Sequence, residues 1–257
     1  MSRDQSPPTA LDFLFEVERL YTALIQSPNS HIEAEQEPSQ GGQLLYVGEL
    51  DAQGRALVVA ANVAGAASLA ATADIARQKQ SIREGVADFL VTSLDEALRI
   101  LKNEIRKREA VAVCVALGPE AVEQEMRERG VVPDVVAFRV AERARCGDGD
   151  AALVSWSAGT APARWMPRLD GMALDCLGSD EHAARRWLRL ASRFVGRLGA
   201  GVHVLRCEPE AAGRFVARVG LGVARGEVGV LVEIEVTWRG QRERHRFSPP
   251  EPSEGAS

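Results

Sequence analysis

Lysine is nearly absent from this 257-residue chain: of 31 basic residues, only Lys79, Lys102 and Lys107 are lysines. The remainder are arginines set among abundant alanine, glycine and valine, the mark of a GC-rich coding bias. Arginine clusters are therefore discounted as evidence of function. Cysteine is also scarce. Cys114, Cys146, Cys176 and Cys207 form no CxxC pair, which excludes a zinc knuckle and a disulfide framework and points to reduced thiols in a cytoplasm. No run approaches the roughly 18 uncharged apolar residues of a membrane span, and Met1–Ala10 lacks the basic-then-apolar pattern of a signal peptide. The expectation is a cytoplasmic protein with no membrane partner. A net charge of -5 argues against a chain-wide nucleic-acid binder. His31, His182, His203 and His245 show neither HxxxH nor HxH spacing, so no metal site is expected. Ser155, Ser157 and Ser192 lack a GxSxG elbow, so no nucleophile is assigned.

Hydrophobic periodicity predicts a helix over 11–27 with Thr9 as its N-cap and Pro28-Asn29 as its stop. A polar, exposed linker follows over 29–42. Strands are predicted over 44–50 and 56–61, joined by a turn at 51–54, then an alanine-rich helix over 65–82. A second helix over 94–108 starts at the N-cap Ser93, with Glu96 at the capping-box position. The apolar run 110–117 reads as a strand buried on both faces. A helix over 119–129 is closed by Gly130, and 134–140 reads as a strand followed by a charged loop over 141–150. Beyond it lie a strand over 151–156, a helix over 179–198, a strand over 202–207 and a helix over 209–219. A hairpin over 228–238 and 241–247 comes last. The fold class is α/β: a Rossmann-like parallel sheet with flanking helices, plus a smaller α+β C-terminal region with a hairpin. The domain reading is an N-terminal helix and linker over 1–41, a Rossmann-like domain over 42–158, an α+β region over 159–247 and a disordered tail over 248–257.

The segment 54–73, GRALVVAANVAGAASLAATA, reads as a strand, a turn of small residues and a helix. Such a turn lets backbone approach a pyrophosphate at a helix N-terminus, or merely lets a helix pack closely on a sheet. The GxGxxG fingerprint itself is absent. Four stretches, one of them inside this segment, resemble the central Rossmann-like domain of urocanases, the NAD-dependent urocanate hydratases of histidine breakdown. Gly42-Gln-Leu-Leu-Tyr-Val-Gly48 looks like the family's "WIYIG" strand, and Asn62-Val-Ala-Gly-Ala-Ala-Ser-Leu-Ala70 is similar to its "GMGGAQPLA" turn. Arg83-Glu-Gly85 followed by Ser93-Leu-Asp-Glu-Ala-Leu98 looks like "RTGY…LDEAL", and Arg129-Gly-Val-Val-Pro-Asp-Val-Val136 resembles "RGVRPDIV". The resemblance covers about residues 42–138.

Departures from the family pattern temper what the resemblance implies. The family lays NAD on a glycine-rich turn; here Gly65 remains, with Asn62 and Ala64 at other glycine positions. The acidic residue expected after the next strand has no evident counterpart, and Gly118-Pro119 replaces an "NA" pair. The flanking regions that carry the family's tyrosine and cysteine are missing. Any retained NAD site is therefore expected at Asn62, Ala64, Gly65 and Ala66, with Arg83 as a phosphate contact and Gly118 near the ribose. The favoured expectation is a non-catalytic binding or assembly module with no cofactor and no catalytic residues. Its partner would be an unidentified protein or a second copy of itself. The alternative is an NAD-dependent, urocanate hydratase-like enzyme or subunit.

A third reading uses the C-terminal third, where 13 arginines stand against 7 acidic residues between Glu181 and Phe247. Arg185, Arg189, Arg193 and Arg197 recur along one helical face, which would suit an anion or, equally, solvent. Glu233 and Glu235 share a strand face, as do His203 and Cys207; each pair reads as ordinary sheet surface or core. Arg242, Arg244 and Arg246 alternate along the last strand and protect an edge.

Overall fold

The structure, a computed structural model, describes residues 9–27, 38–146, 150–195, 199 and 201–250. His31, Arg197, the Pro28-Asn29 helix stop, most of the linker and the end of the tail lie outside the described residues. The chain folds as two compact units, one comprising 1–148 with 189–198 and the other 149–188 with 199–257.

The first unit opens with helix α1 (Ala10–Ile25), capped as its sequence predicts: Thr9 and Asp12 exchange hydrogen bonds in a capping box. Strand β1 (Leu44–Glu49) follows. The residues immediately before it are not an exposed linker. Gln40 is fully buried, with its amide nitrogen donating to Ala64 O and its side chain to Leu24 O.

The predicted strand over 56–61 is a helix, α2 (Ala52–Ala64). A continuous apolar run fits a buried strand and a buried helix equally well by period. Two local signals decide between them. Asp51 caps the helix, its carboxylate accepting from Gly54 N at 2.8 Å, and Gly65 ends it in the left-handed region at φ 92°. The predicted helix over 65–82 is correspondingly a strand, β2 (Ala67–Ala71), and a short helix, α3 (Ile75–Arg83).

Edge strand β3 (Phe89–Val91), helix α4 (Leu94–Lys107), strand β4 (Val111–Val115) and helix α5 (Pro119–Glu128) follow. Strand β5 is only Val135–Val136, and the rest of the predicted strand, with most of the charged loop, is helix α6 (Ala137–Cys146). All ladders are parallel, and the order is β3-β4-β2-β1-β5. Right-handed crossovers place α2 and α3 on one face and α4 and α5 on the other. Tyr46, Leu69, Val113, Leu94, Leu101 and Met126 build the core under α4 and α5. The opposite face carries smaller side chains, with Ser68 beside Ala112 and Ala70 beside Cys114.

The rest of the chain forms strand β6 (Ala152–Ala158), helix α7 (Pro162–Cys176), helix α8 (His182–Val195), strand β7 (Val202–Cys207), helix α9 (Pro209–Ala224) and strands β8 (Val232–Trp238) and β9 (Gln241–Phe247). Its strands make the antiparallel sheet of the second unit, in the order β7-β6-β8-β9. Helix α7 has no counterpart in the sequence reading; Pro167 in its interior hides it. Arg239 (φ 49°) and Gly240 (φ 76°) make the tight hairpin turn where the sequence placed it. Trp156 packs edge-on against Phe215 of α9.

One glycine sets how closely α2 approaches β1. A Cβ on Gly54 would overlap the carbonyl oxygen of Glu49 and touch Val47 Cγ1 at 3.4 Å. In an ordinary helix interior Gly→Ala stabilises by about 1 kcal/mol. Here Gly54→Ala is expected to destabilise by about 1–3 kcal/mol through overpacking. The check is a lowered urea midpoint at unchanged m-value.

Candidate functional site

The strand order reverses beside β1: the chain builds β2, β4 and β3 to one side, then crosses back to lay β5 on the other. In open parallel sheets, ligands bind at the carboxyl ends of strands at such a point. A cleft of about 420 Å³ lies there. It is lined by Val47 and Glu49 of β1, Asp51, Gln53 and Gly54 at the start of α2, and Phe138, Glu142 and Arg145 of α6.

The turn from β1 into α2, Glu49-Leu-Asp-Ala-Gln-Gly54, has the length and place of a GxGxxG turn but keeps only its last glycine. The last glycine of that pattern serves close helix–strand packing, as Gly54 does here. Asp51 stands where the second glycine lets backbone approach a pyrophosphate. Its carboxylate already occupies the Gly54 amide, the kind of donor an anion at a helix N-terminus would use. Glu49 adds a second carboxylate, paired with Arg77 at 3.1 Å. Asp74 stands just beyond β2, about 20 residues past Gly54, where nucleotide-binding folds place a ribose-binding carboxylate. The sequence reading finds no such residue. In the structure this carboxylate caps α3, accepting from Ala76 N at 2.8 Å and Arg77 N at 3.3 Å.

The residues picked from sequence are not brought together. Asn62, Ala64, Gly65 and Ala66 lie where α2 ends and β2 begins, at the amino edge of the sheet. Asn62, Ala64 and Ala66 are buried, and Asn62 Oδ1 has no hydrogen-bond partner among the described residues. Gly65 sits at a helix C-terminus rather than the N-terminus inferred from sequence, its amide bonded back to Asn62 O at 3.1 Å. Arg83 is exposed in the last turn of α3, at the same edge. Gly118 alone lies at the carboxyl edge, as the N-cap of α5 without a side-chain cap. The signal that marks the actual turn is an Asp N-cap followed three residues later by glycine.

Other chemistry-bearing groups serve the fold. Burial, reinforced by the Glu49 charge, pushes the Cys114 thiol up to about 11, so it is protonated and unreactive at neutral pH. In the second unit, Asp170 Oδ1 accepts from Trp156 Nε1 at 3.2 Å and lies 2.7 Å from His203 Nδ1. Cys207 and His203 do share a sheet face, paired with Ala152 and Trp156. Arg185 donates to the carbonyls of Gly178 and Leu177, both at 2.9 Å, and so closes the C-terminal end of α7. Arg193 lies over the Phe194 ring. Arg242 and Arg244 bind Glu235, and Arg246 binds Glu233. Among the described residues no group of three or more His, Cys, Asp or Glu is placed to hold a metal ion, and no helix is long and apolar enough to cross a membrane.

Tyr46, buried on β1, reaches Glu123 Oε1 at 3.2 Å and Pro119 O at 3.4 Å. Burial first, then the Glu123 carboxylate, holds its hydroxyl well above the ordinary tyrosine range. The folded chain therefore keeps a proton that the unfolded chain releases near pH 10, and stability is expected to fall as pH rises beyond that value. Urea unfolding at pH 9 and pH 11 should show this loss, and Tyr46→Phe should reduce it.

The parallel sheet, the crossovers on both faces and most of the cleft beside β1 fall within one stretch of chain, and that stretch, residues 21–142, matches the family model of the urocanase Rossmann-like domain.

Proposed function

We propose that the first unit is a non-catalytic binding or assembly module, a urocanase-type Rossmann-like domain that has given up its dinucleotide. The observation that carries this reading is the cap made by Asp51. A pyrophosphate at the start of α2 would displace the Asp51 carboxylate from the Gly54 amide and then lie against Asp51 and Glu49, two like charges in a confined cleft. The residues present do not fit the cofactor, and no chemical step runs through it. Retention of Gly54 is consistent with this reading, because that glycine serves helix packing whether or not a ligand binds. Cys114, Cys176 and Cys207, buried thiols outside any disulfide, support a reducing, cytoplasmic setting.

A second reading, an NAD-dependent enzyme or subunit of the urocanate hydratase type, is favoured by one observation, the position of Asp74 beyond β2.

Calorimetric titration with NAD⁺, paired with an absorbance assay for urocanate loss, separates the two readings. The expected result is no binding heat up to millimolar NAD⁺ and no loss of urocanate. Asp51→Gly, which frees the helix N-terminus at a cost of only a few tenths of a kcal/mol, should raise NAD⁺ affinity by about tenfold or more, equivalent to about 1.4 kcal/mol. Micromolar binding by the unaltered protein, with turnover, would overturn the proposal in favour of the enzyme.

A further inference from the structure

Helix α6 turns one side into the cleft beside β1. Phe138, Ala141, Glu142 and Arg145 recur at helical spacing and all line it. Glu142 and Arg145 are exposed and Phe138 is 61% exposed, so these three stand at the mouth. Leu20, Val47 and Leu57 are buried and give the cleft an apolar floor. Glu142 and Arg145 carry opposite charges one helical turn apart, the spacing at which such side chains pair. They make no ion pair with each other or with any other described residue. The two other carboxylates of the lining are half engaged. Glu49 Oε1 takes Arg77 and Asp51 Oδ1 takes the Gly54 amide, while Glu49 Oε2 and Asp51 Oδ2 accept no hydrogen bond among the described residues.

We propose that this cleft binds a small zwitterion, an apolar α-amino acid, with its carboxylate on Arg145, its ammonium on Glu142 and its side chain on the apolar floor. The proposal rests on the reading that the domain has given up its dinucleotide, because the two ligands would occupy the same cleft. The charges of the lining select the ligand. An anion would meet three carboxylates, and a simple cation would leave Arg145 facing a like charge. A ligand carboxylate has one partner among the lining residues, the Arg145 guanidinium, whose forked donors suit it; the start of α2 is closed to it by Asp51. A ligand ammonium has Glu142 and the unengaged oxygens of Glu49 and Asp51. Side chains three apart on a helix have Cβ atoms about 5–6 Å apart, close enough to grip two charges carried by one carbon. The cleft, about 420 Å³, lies toward the small end of the roughly 300–1,000 Å³ of ligand pockets, which suits a compact ligand.

Calorimetric titration of the full chain with L-leucine tests it, beside isoamylamine, which lacks the carboxylate, and isocaproate, which lacks the ammonium. Leucine is expected to bind with millimolar affinity or tighter, and each analogue at least about tenfold more weakly. Arg145→Ala should lower leucine affinity to that of the amine without weakening the amine. Glu142→Gln should weaken leucine and the amine alike and spare isocaproate. Both side chains are exposed, so neither change threatens folding, and circular dichroism should be unchanged. Silence toward leucine, an analogue that binds as tightly as leucine, or leucine affinity unaltered in either variant would overturn the proposal. A parallel titration with NAD⁺ separates the two readings of the cleft. Silence toward both ligands overturns the amino-acid site alone, whereas NAD⁺ binding without leucine binding overturns the loss of the dinucleotide as well.

Discussion

The contact between the start of α2 and the end of β1 is the constraint around which the first unit is arranged. With no side chain at Gly54, the helix sits against the Glu49 carbonyl, and the sheet beneath it is cut to match. Ser68, Ala70 and Ala112 on that face are small, whereas Tyr46, Leu69 and Val113 on the other are large and support α4. A close-packed interior tolerates little change in volume, so the alanine-rich stretch 56–71 is best understood as one face of a tight helix–sheet junction. The same junction forms the wall of the cleft, which is why a residue at the cleft mouth can matter to stability and to binding at once.

That packing also explains which elements are legible in the sequence. Helices with polar outer faces and recognisable caps, α1 from Thr9 and α4 from Ser93, are readable because period and cap agree. Strand β4 is readable because its five apolar residues are too few for a helix. Helix α2 is not, because it is buried all round and its period vanishes; the capping Asp51 and the closing Gly65 are the available signals. Taking α2 for a strand moves the turn, and with it the candidate site, from Glu49–Gly54 to Asn62–Ala66. Strand β5 is over-read for a related reason. Val135–Val136 are strand, but the chain passes directly into α6 with no capping residue to announce it. The resemblance to urocanases is untouched by these shifts because it rests on residue order rather than on any one assignment of helix or strand.

The abundance of arginine in the second unit has a similarly local account. Arg185 closes α7, and Arg214 donates to the Cys176 carbonyl at 2.7 Å and 3.1 Å. The three arginines of β9 are matched across the ladder by the two glutamates of β8. Guanidinium groups suit both tasks, since their forked donors reach two acceptors at once. Five of the arginines behind the positive excess that sequence alone presents as a candidate anion surface are thus engaged locally, Arg185 and Arg214 by carbonyls and Arg242, Arg244 and Arg246 by carboxylates.

The same matching separates the two kinds of open strand in this chain. Strand β9 is an edge that carries charge at alternate positions, with each outward arginine held by a glutamate of its neighbour, and such an edge resists pairing with another strand. Strand β3 carries no such charges and is blunted only by its shortness. It is three residues long, its first two side chains are apolar and exposed, and the helix beside it turns two isoleucines outward.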